Sequence, residues 1–176
     1  MKILLIGLLI TSNIFAADVD MKKSVFQWTA TKVTGEHTGK IFLKSSKIVE
    51  KKGNLVGGEF IANMDSITVE DLSGKWAKKF LKHMKSDDFF TVSKYPEAKL
   101  IISKLKDGKL MGKLSIKDKT NEISFPFVKK GQTYSGTMEF DRTKFAMVYG
   151  SGNFFKDLGD KMIHDKVKIK FTLVLK

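Results

Sequence analysis

Few side chains in this sequence have the type and spacing that chemistry needs. The candidates are the histidines His37, His83 and His164 and the carboxylate pair Asp87-Asp88. His83 and Asp87 are four residues apart, so a helix would bring them to one face. Two ligands do not make a metal site, and the sequence has no H-x-x-x-H or H-E-x-x-H spacing. We therefore interpret these residues as structural and predict neither a metal nor a cofactor.

The common catalytic signatures are also missing from the sequence. It contains no cysteine, which excludes a disulfide scaffold, a thiolate zinc site and a cysteine nucleophile. It lacks the G-x-S-x-G nucleophile elbow, the G-x-x-x-x-G-K-[ST] phosphate loop and the G-x-G-x-x-G fingerprint. Gly150-Ser-Gly152 is a weak signal that can shape a loop. An enzyme acting on a lipid or small molecule through His37, His83 or Asp87-Asp88 stays an alternative.

Asp141-Arg142 is the most notable polar pair, because Arg142 is the only arginine in the chain. A lone arginine among so many lysines suggests a role that needs the planar, multiply donating guanidinium. We interpret Arg142 as the anchor of a buried carboxylate or of the bend at "FDRTKF". Contact with the head group of a ligand is the alternative.

The charge of the chain is strongly basic. Its 32 basic residues exceed its 19 acidic residues, for a net charge of +13. All the basic residues except Arg142 are lysines, and they are spread along the sequence. Readout of guanine edges and phosphates favours arginine, so we predict no nucleic-acid binding. A solvated lysine surface explains the charge, and a basic adaptor that meets an anionic surface is the alternative.

The N-terminus has the layout of a secretory signal peptide. Lys2 provides a positive start, Ile3 to Ile10 is an apolar run, and Ala16 and Ala17 are small. The apolar stretch is shorter than the roughly 20 residues of a membrane helix. We predict a signal peptide over residues 1–16 and an exported domain over residues 17–176 without a membrane span. An uncleaved anchor is the alternative.

Most of the remaining sequence has the period of two that is typical of half-buried strands. Val167, Ile169 and Phe171 point one way, and Lys168 and Lys170 point the other. Similar rows recur along the chain, separated by short turn signals. We count about eight strands and predict a mainly β fold, a single eight-stranded antiparallel lipocalin-like barrel. A barrel of that size is either filled by side chains or holds one small ligand, and the pattern does not decide between them.

One segment follows the period of a helix instead. Trp76, Phe80, Leu81 and Met84 form an apolar stripe, and lysines lie on the other side. We therefore predict a short amphipathic helix near residues 72–84. We favour a helix that closes one end of the barrel, and binding to an anionic membrane surface is the alternative.

Five segments, taken in order, resemble the YceI-like family of exported, lipocalin-like proteins. They are "KVTGEHTGKI" (Lys32 to Ile41), "GGEFIANMDSITVEDL" (Gly57 to Leu72), "LKHMKSDDFFTVSKYPEAKL" (Leu81 to Leu100), "GKLSIKDKTNEISFPF" (Gly112 to Phe127) and "FDRTKFAMVYGSGNFFKDLGDKMIHD" (Phe140 to Asp165). The resemblance implies an antiparallel barrel with an apolar channel that binds polyisoprenoids or similar long-chain lipids in the Gram-negative periplasm. Dimers are known in such folds, so a homodimer is possible. No catalytic residue is carried over.

An exported apolar channel makes physical sense for such a ligand, because each methylene removed from water gains about 0.8 kcal/mol. We therefore predict a periplasmic protein that sequesters or carries a polyisoprenoid or another long-chain amphiphile, such as a fatty-acyl lipid. A position of His37 near the channel mouth is the alternative to its structural role. The predicted lining is one strand face: Phe26, Trp28, Ile41, Phe60, Ala62, Leu100, Ile102, Leu114, Ile116, Phe125, Phe127, Phe140, Ile169 and Phe171.

Overall fold

Ten antiparallel strands and one α-helix make up residues 14–176, the part of the chain that this computed structural model describes. The helix is α1 (Gly74–Met84), and short 3-10 helices cover Met64–Ser66, Arg142–Phe145 and Gly159–Lys161. The strands are β1 (Ile14–Ala17), β2 (Val25–Lys32), β3 (Gly35–Lys40), β4 (Phe42–Lys51), β5 (Asn54–Asn63), β6 (Glu97–Lys106), β7 (Lys109–Ile116), β8 (Lys119–Lys130), β9 (Thr133–Asp141) and β10 (Ile163–Val174).

All ten strands belong to one curled sheet in the order β1-β4-β5-β6-β7-β8-β9-β10-β2-β3. Strand β3 lies at one end of this order and β4 lies next to the other end, yet only Ile41 separates them in the chain. The backbone N–H of Ile41 donates to the carbonyl of Phe26 (3.0 Å) and so stays attached to β2. The sheet therefore curls until its two ends meet at Ile41.

The mainly β, antiparallel prediction is confirmed, but the count of eight strands is not. Two differences account for the ten strands. The alternation of side chains runs through Ile41 without a turn signal, so the sequence reads β3 and β4 as a single strand. Strand β1 falls where we predicted the signal peptide.

The predicted signal peptide, residues 1–16, lies outside the described residues except for its last three. Those three belong to β1, in which Ala17 pairs with Ile48 of β4. Cleavage after Ala16 would remove most of this strand, and it stays a prediction. Within residues 14–176, no helix is long and apolar enough to span a bilayer.

The two ends of the curled sheet differ in their connections. At one end, tight turns join β4 to β5, β6 to β7 and β8 to β9. Lys52 and Gly53 both have positive φ, as the first of these two-residue hairpins requires. At the other end, short turns join β2 to β3 and β7 to β8, and both long connections lie there as well, residues 64–96 with α1 and residues 142–162. The elements that can cover or open the interior are thus gathered at one end.

Strand β10 shows how the alternation builds the interior. Val167, Ile169 and Phe171 pack against the core, and Lys168 and Lys170 are exposed. Ile169 pairs with Met138 of β9 on one side and with Trp28 of β2 on the other. Three neighbouring strands therefore direct apolar side chains to the same inner face, as the period of two predicted.

Candidate functional site

The inner face of the curled sheet surrounds a cavity of about 450 Å³. Thirteen of the fourteen predicted lining residues lie on its wall, since each occupies an inward position of its strand or of the β3–β4 junction. Contact of these residues with a ligand stays a prediction. The thirteen are Phe26, Trp28, Ile41, Phe60, Ala62, Leu100, Ile102, Leu114, Ile116, Phe125, Phe140, Ile169 and Phe171.

Phe127 is the exception, because its side chain packs against the core without reaching the cavity wall. It has the same phase as Ile123 and Phe125 on β8, but it lies nearer the end with the tight turns. There its ring packs against Tyr134, with 5.7 Å between ring centroids, and Tyr134 lines the cavity instead. Alternation identifies the face of a strand and not how far along it the cavity extends.

The end with the tight turns is closed. The wall there is formed by Leu55, Leu110, Tyr134 and Leu173, all of which are at most 2% exposed. No exposed side chain among the lining residues lies at this end, so the cavity is blind there within the described part of the chain.

A polar cluster ties the closed end together. The Tyr134 hydroxyl donates to the Glu50 carboxylate, and the Lys129 ammonium lies 2.8 Å from the same oxygen. Burial raises the pKa of Glu50, but the hydrogen bonds from Lys129 and Tyr134 outweigh it and leave that pKa below its ordinary value of 4.5. Burial and the Glu50 contact together raise the pKa of Tyr134. The cluster therefore holds a charged carboxylate that links β4 to β8 and β9.

The opposite end, which we call the mouth, is partly open. Its wall includes the exposed side chains of Tyr149, Asp160 and Lys161 from the long connection between β9 and β10. Lys32, at the end of β2, joins them. Apolar walls that lead to a polar, accessible rim suit a ligand with a long apolar tail and a polar head.

Helix α1 lies across part of the mouth. Phe80 and Met84 line the cavity, and the Phe80 ring stacks on the Trp28 indole. The indole N–H of Trp28 donates to the carbonyl of Thr68 (3.0 Å), which fixes the ring that α1 packs on. The helix therefore covers one end of the barrel, the role that we favoured. Trp76 does not follow the rest of the stripe inward, because its side chain is 61% exposed.

Several lining residues were not predicted. Met138 lies in the same alternating row as Tyr134 and Phe140, so the strand pattern contained the signal for it. Phe89, Phe90 and Met147 come from the connections at the mouth, where no periodicity shows which way a side chain points. Only their apolar character near the helix could have indicated them.

Two histidines lie on the cavity wall near the mouth, each beside a carboxylate. The Nδ1 atom of His37 is 2.6 Å from the Asp71 carboxylate, and His83 Nε2 is 2.8 Å from that of Asp88. His83 does not pair with Asp87, because α1 ends at Met84 and the chain turns before the carboxylates. His37 thus lies at the mouth, the position that the sequence offered only as an alternative.

Burial raises the pKa of Asp71, but the hydrogen bonds from the Thr38 N–H and from His37 outweigh it and lower that pKa. His164 is separate and contacts Thr31 (2.8 Å). Among residues 14–176, no three candidate ligands come close enough to hold a metal ion.

Arg142 is an internal anchor of the long connection between β9 and β10. It is 2% exposed, and its guanidinium donates to the carbonyls of Met147 (2.6 Å), Tyr149 (2.9 Å), Ile163 (3.0 Å) and His164 (3.1 Å). Asp165 lies 3.2 Å from it as the carboxylate partner. The arginine thus anchors a carboxylate and a bend, as we interpreted it. Its contact with a head group stays a prediction.

The G-S-G segment belongs to the same anchored connection. Ser151 is fully buried and donates to Asp165 (3.0 Å), and the Asn153 side chain donates to the same oxygen (2.7 Å). Gly150 has φ +64°, and a side chain there would press on Ile163. The segment therefore shapes the rim of the mouth, which is the structural role that the sequence suggested.

Comparison with known proteins identifies a matching family profile and solved structures with a similar fold. Residues 15–175 match the profile of the YceI-like domain. The fold is similar to that of BcnA from Burkholderia cenocepacia, with a TM-score of 0.69, 23% identity and coverage of 90% of this chain and 100% of the other. No curated relative matches significantly.

Two further solved structures share the fold. One is a polyisoprenoid binding domain from Saccharophagus degradans, with a TM-score of 0.64, 12% identity and coverage of 93% of this chain and 99% of the other. The other is a YceI protein of Campylobacter jejuni, with a TM-score of 0.53, 17% identity and coverage of 78% and 84%.

Proposed function

This chain belongs to the YceI-like family, and from that premise we propose that it binds a long-chain isoprenoid or fatty-acyl lipid in its cavity. The observation that carries the proposal is the cavity itself, which is apolar along its walls, closed at one end and open at the other. Its volume of about 450 Å³ lies within the usual range of ligand sites. The similarity to a polyisoprenoid binding domain supports an isoprenoid as the ligand.

The energetic argument is the removal of methylenes from water. Each buried methylene gains about 0.8 kcal/mol, so a tail lying along Phe60, Leu100 and Phe171 gains several kcal/mol without any directed contact. Non-directional contacts tolerate variation in the tail. A polar head would stay at the mouth, where Lys32, Lys161 and Tyr149 are accessible.

We propose further that the protein works in the periplasm, where it sequesters or carries the lipid and does not alter it chemically. The signal-peptide pattern of residues 1–16 supports export. Fractionation of cells that express the full chain tests the location, and recovery of the protein in the cytoplasm with its N-terminus intact would contradict it. Chemical change of a bound lipid, lost in His37→Ala or His83→Ala variants, would contradict binding without catalysis.

A cavity-filling substitution with a matched control tests lipid binding. Ala98 of β6 lies on the cavity wall between Ala62 and Ile116, and Ile101 on the same strand points outward with 41% exposure. Ala98→Trp should fill the bore, and Ile101→Trp adds the same ring outside it. Mass spectrometry of organic extracts measures the lipid that co-purifies, and uptake of a long-chain prenyl compound measures capacity.

We expect lipid in the wild type and in Ile101→Trp and little in Ala98→Trp. Thermal unfolding of all three proteins shows that the loss reflects the filled cavity and not unfolding. Equal lipid in both variants, or none in the wild type together with no uptake, would overturn the proposal.

A further inference from the structure

The outward side of α1 carries lysines that form no ion pair with any acidic group of residues 14–176. The helix sequence contains no acidic residue. Lys85, just after the helix, pairs with Asp65 (2.7 Å). Among residues 14–176, no carboxylate lies within 4.0 Å of the four exposed lysines on the helix itself. These four, which we call the α1 lysines, are Lys75, Lys78, Lys79 and Lys82.

An exposed tryptophan lies on the same helix. Trp76, Phe80 and Met84 are spaced by four residues and form one stripe, but only Phe80 and Met84 reach the cavity. The stripe therefore continues past the rim of the mouth, and Trp76 is left 61% exposed with the Lys75 ammonium 5.6 Å from its ring. Tryptophan flanked by lysines is the composition of helices that lie in the interface of a bilayer.

The connection between β9 and β10 adds exposed aromatic side chains at the same end of the barrel. Phe154 is 57% exposed and Phe155 is 47% exposed. The base of this connection touches α1, because the ring of Tyr149 lies 4.7 Å from that of His83. Exposed aromatic side chains that are grouped at one end of a protein are typical of an interaction surface.

We propose that this surface, formed by the α1 lysines, Trp76 and Phe154-Phe155, docks on an anionic phospholipid bilayer. Each lysine near such a membrane strengthens binding about fivefold, and the aromatic rings enter the interface. Docking brings the mouth against the bilayer, so that a long apolar tail passes between membrane and cavity with little exposure to water. The inference rests on the proposed lipid-binding function, because the passage of a lipid tail is the purpose that it gives to docking.

Charge and shape favour a bilayer over the other occupants. A second copy of the chain carries the same net charge of +13 and would bring its own α1 lysines against these. A folded acidic protein would have to place carboxylates opposite four lysines of one exposed helix and also fit pockets around Trp76 and Phe154-Phe155. A fluid anionic surface satisfies such scattered charges without shape complementarity.

The experiment is flotation of the protein purified from cells that express the full chain, with vesicles of phosphatidylcholine alone or of equal parts phosphatidylcholine and phosphatidylglycerol. The test variant is Lys78→Glu/Lys82→Glu. The matched control is Lys168→Glu/Lys170→Glu on the exposed face of β10, which changes the net charge equally. We expect binding to the anionic vesicles only, lost at high salt, weakened at least about 25-fold in the test variant and by a much smaller factor in the control.

Fluorescence locates the contact, since the protein has only two tryptophans and Trp28 is buried. We expect anionic vesicles to shift the emission to shorter wavelength, and the shift to disappear in Trp76→Phe. Equal losses in both charge variants, an absent Trp76 shift, or binding that ignores salt and phosphatidylglycerol would overturn the proposal. Self-association through α1 without vesicles, measured by sedimentation, would also overturn it in favour of a second copy.

The two proposals fail separately. Lipid uptake from solution, measured without vesicles, should be unchanged in Lys78→Glu/Lys82→Glu, whereas Ala98→Trp should lose uptake and keep vesicle binding. A protein that takes up lipid but ignores anionic vesicles refutes docking alone. A protein that binds vesicles but holds no lipid refutes the proposed function. It still supports the docking surface, but not the passage of a lipid tail as its purpose.

Discussion

The ring of Phe80 lies parallel to the indole of Trp28, with 6.1 Å between ring centroids and 8° between ring planes. The indole is itself held by its hydrogen bond to Thr68, so the stacked pair connects α1 to a fixed point of β2. Because no residue of α1 is fully buried, this pair is one of the few contacts that keep the helix at the mouth.

Phe80→Ala should therefore weaken the packing of α1 more than it lowers the stability of the barrel. A half-buried phenylalanine stacked on an aromatic ring contributes about 2 kcal/mol, less than the about 3–5 kcal/mol of a fully buried one. In a Trp76→Phe background only Trp28 emits, so we expect a red shift and easier quenching by acrylamide when Phe80 is removed. Lys79→Ala, on the exposed side of α1, is the control. Unchanged emission with Phe80→Ala would contradict the connection.

Gly39 of β3 lies close to the same indole, and this makes it sensitive to substitution. A Cβ at this position would lie 2.0 Å from the Thr68 carbonyl oxygen and 2.8 Å from the Trp28 Nε1 atom. Gly39→Ala must therefore move backbone, and we expect a loss at or above the upper end of the usual ~1–3 kcal/mol for overpacking. Urea unfolding measures it.

Gly57 provides the control for that substitution, because the nearest atom to its added Cβ is 3.5 Å away, an ordinary contact. Gly57→Ala should cost well under half as much as Gly39→Ala. Similar losses for both glycines would show that β-strand glycines matter here for a reason other than the approach of Thr68 to β3.

The strand pattern predicted the faces of the sheet well, because burial on one side imposes a period of two. Ile102, Leu114 and Phe125 were assigned to the interior from alternation alone, and they line the cavity. Alternation does not mark where a strand bends without changing phase, so the division between β3 and β4 at Ile41 was invisible. It also does not show how far along a strand the cavity extends, so it contained no sign that Phe127 packs against Tyr134.

The mouth could be predicted less well, because connections have no periodicity. Phe89 and Met147 reach the cavity only because turns and the contacts of Arg142 direct the chain inward. The sequence marked Arg142 as special by its rarity but contained no sign of its four carbonyl acceptors. Trp76 belongs to the apolar stripe of the helix, but the stripe alone did not show that Trp76 lies beyond the end of the barrel and is exposed.

Removal of the Arg142 charge should be among the most damaging single changes. Arg142→Met leaves Asp165 without its ionic partner and removes the guanidinium donors from four carbonyls, so we expect a loss of about 3–5 kcal/mol. The connection over residues 142–162 should also become more sensitive to proteases. Thermal unfolding and limited proteolysis measure the two effects.

A double-mutant cycle separates the ion pair from the carbonyl contacts. Asp165→Asn keeps an acceptor for Ser151 and Asn153 but removes the charge, so the double variant should lose less than the sum of the two single losses. Strict additivity would mean that the 3.2 Å pair contributes nothing and that the carbonyl contacts alone account for the loss.

The Glu50 cluster predicts a loss of stability in acid. Burial raises the pKa of Glu50, but the hydrogen bonds that Lys129 and Tyr134 donate to it outweigh burial and lower that pKa below 4.5. Folding therefore favours the ionised carboxylate, and this contribution is complete above the unfolded pKa of about 4.5 and is lost as the pH falls through the lower folded value. Glu50→Gln should cost about 1.5–3 kcal/mol at neutral pH, as for charged hydrogen bonds.

The difference in unfolding free energy between wild type and Glu50→Gln should shrink as the pH falls below 4.5. Urea unfolding at a series of pH values measures it. Tyr134→Phe removes only one of the two hydrogen bonds, so its acid transition should lie between those of the other two proteins. A difference that stays constant from neutral to acidic pH would mean that the carboxylate is not held in its charged form. The closed end of the cavity would then depend on apolar packing of Leu55, Leu110 and Leu173 alone.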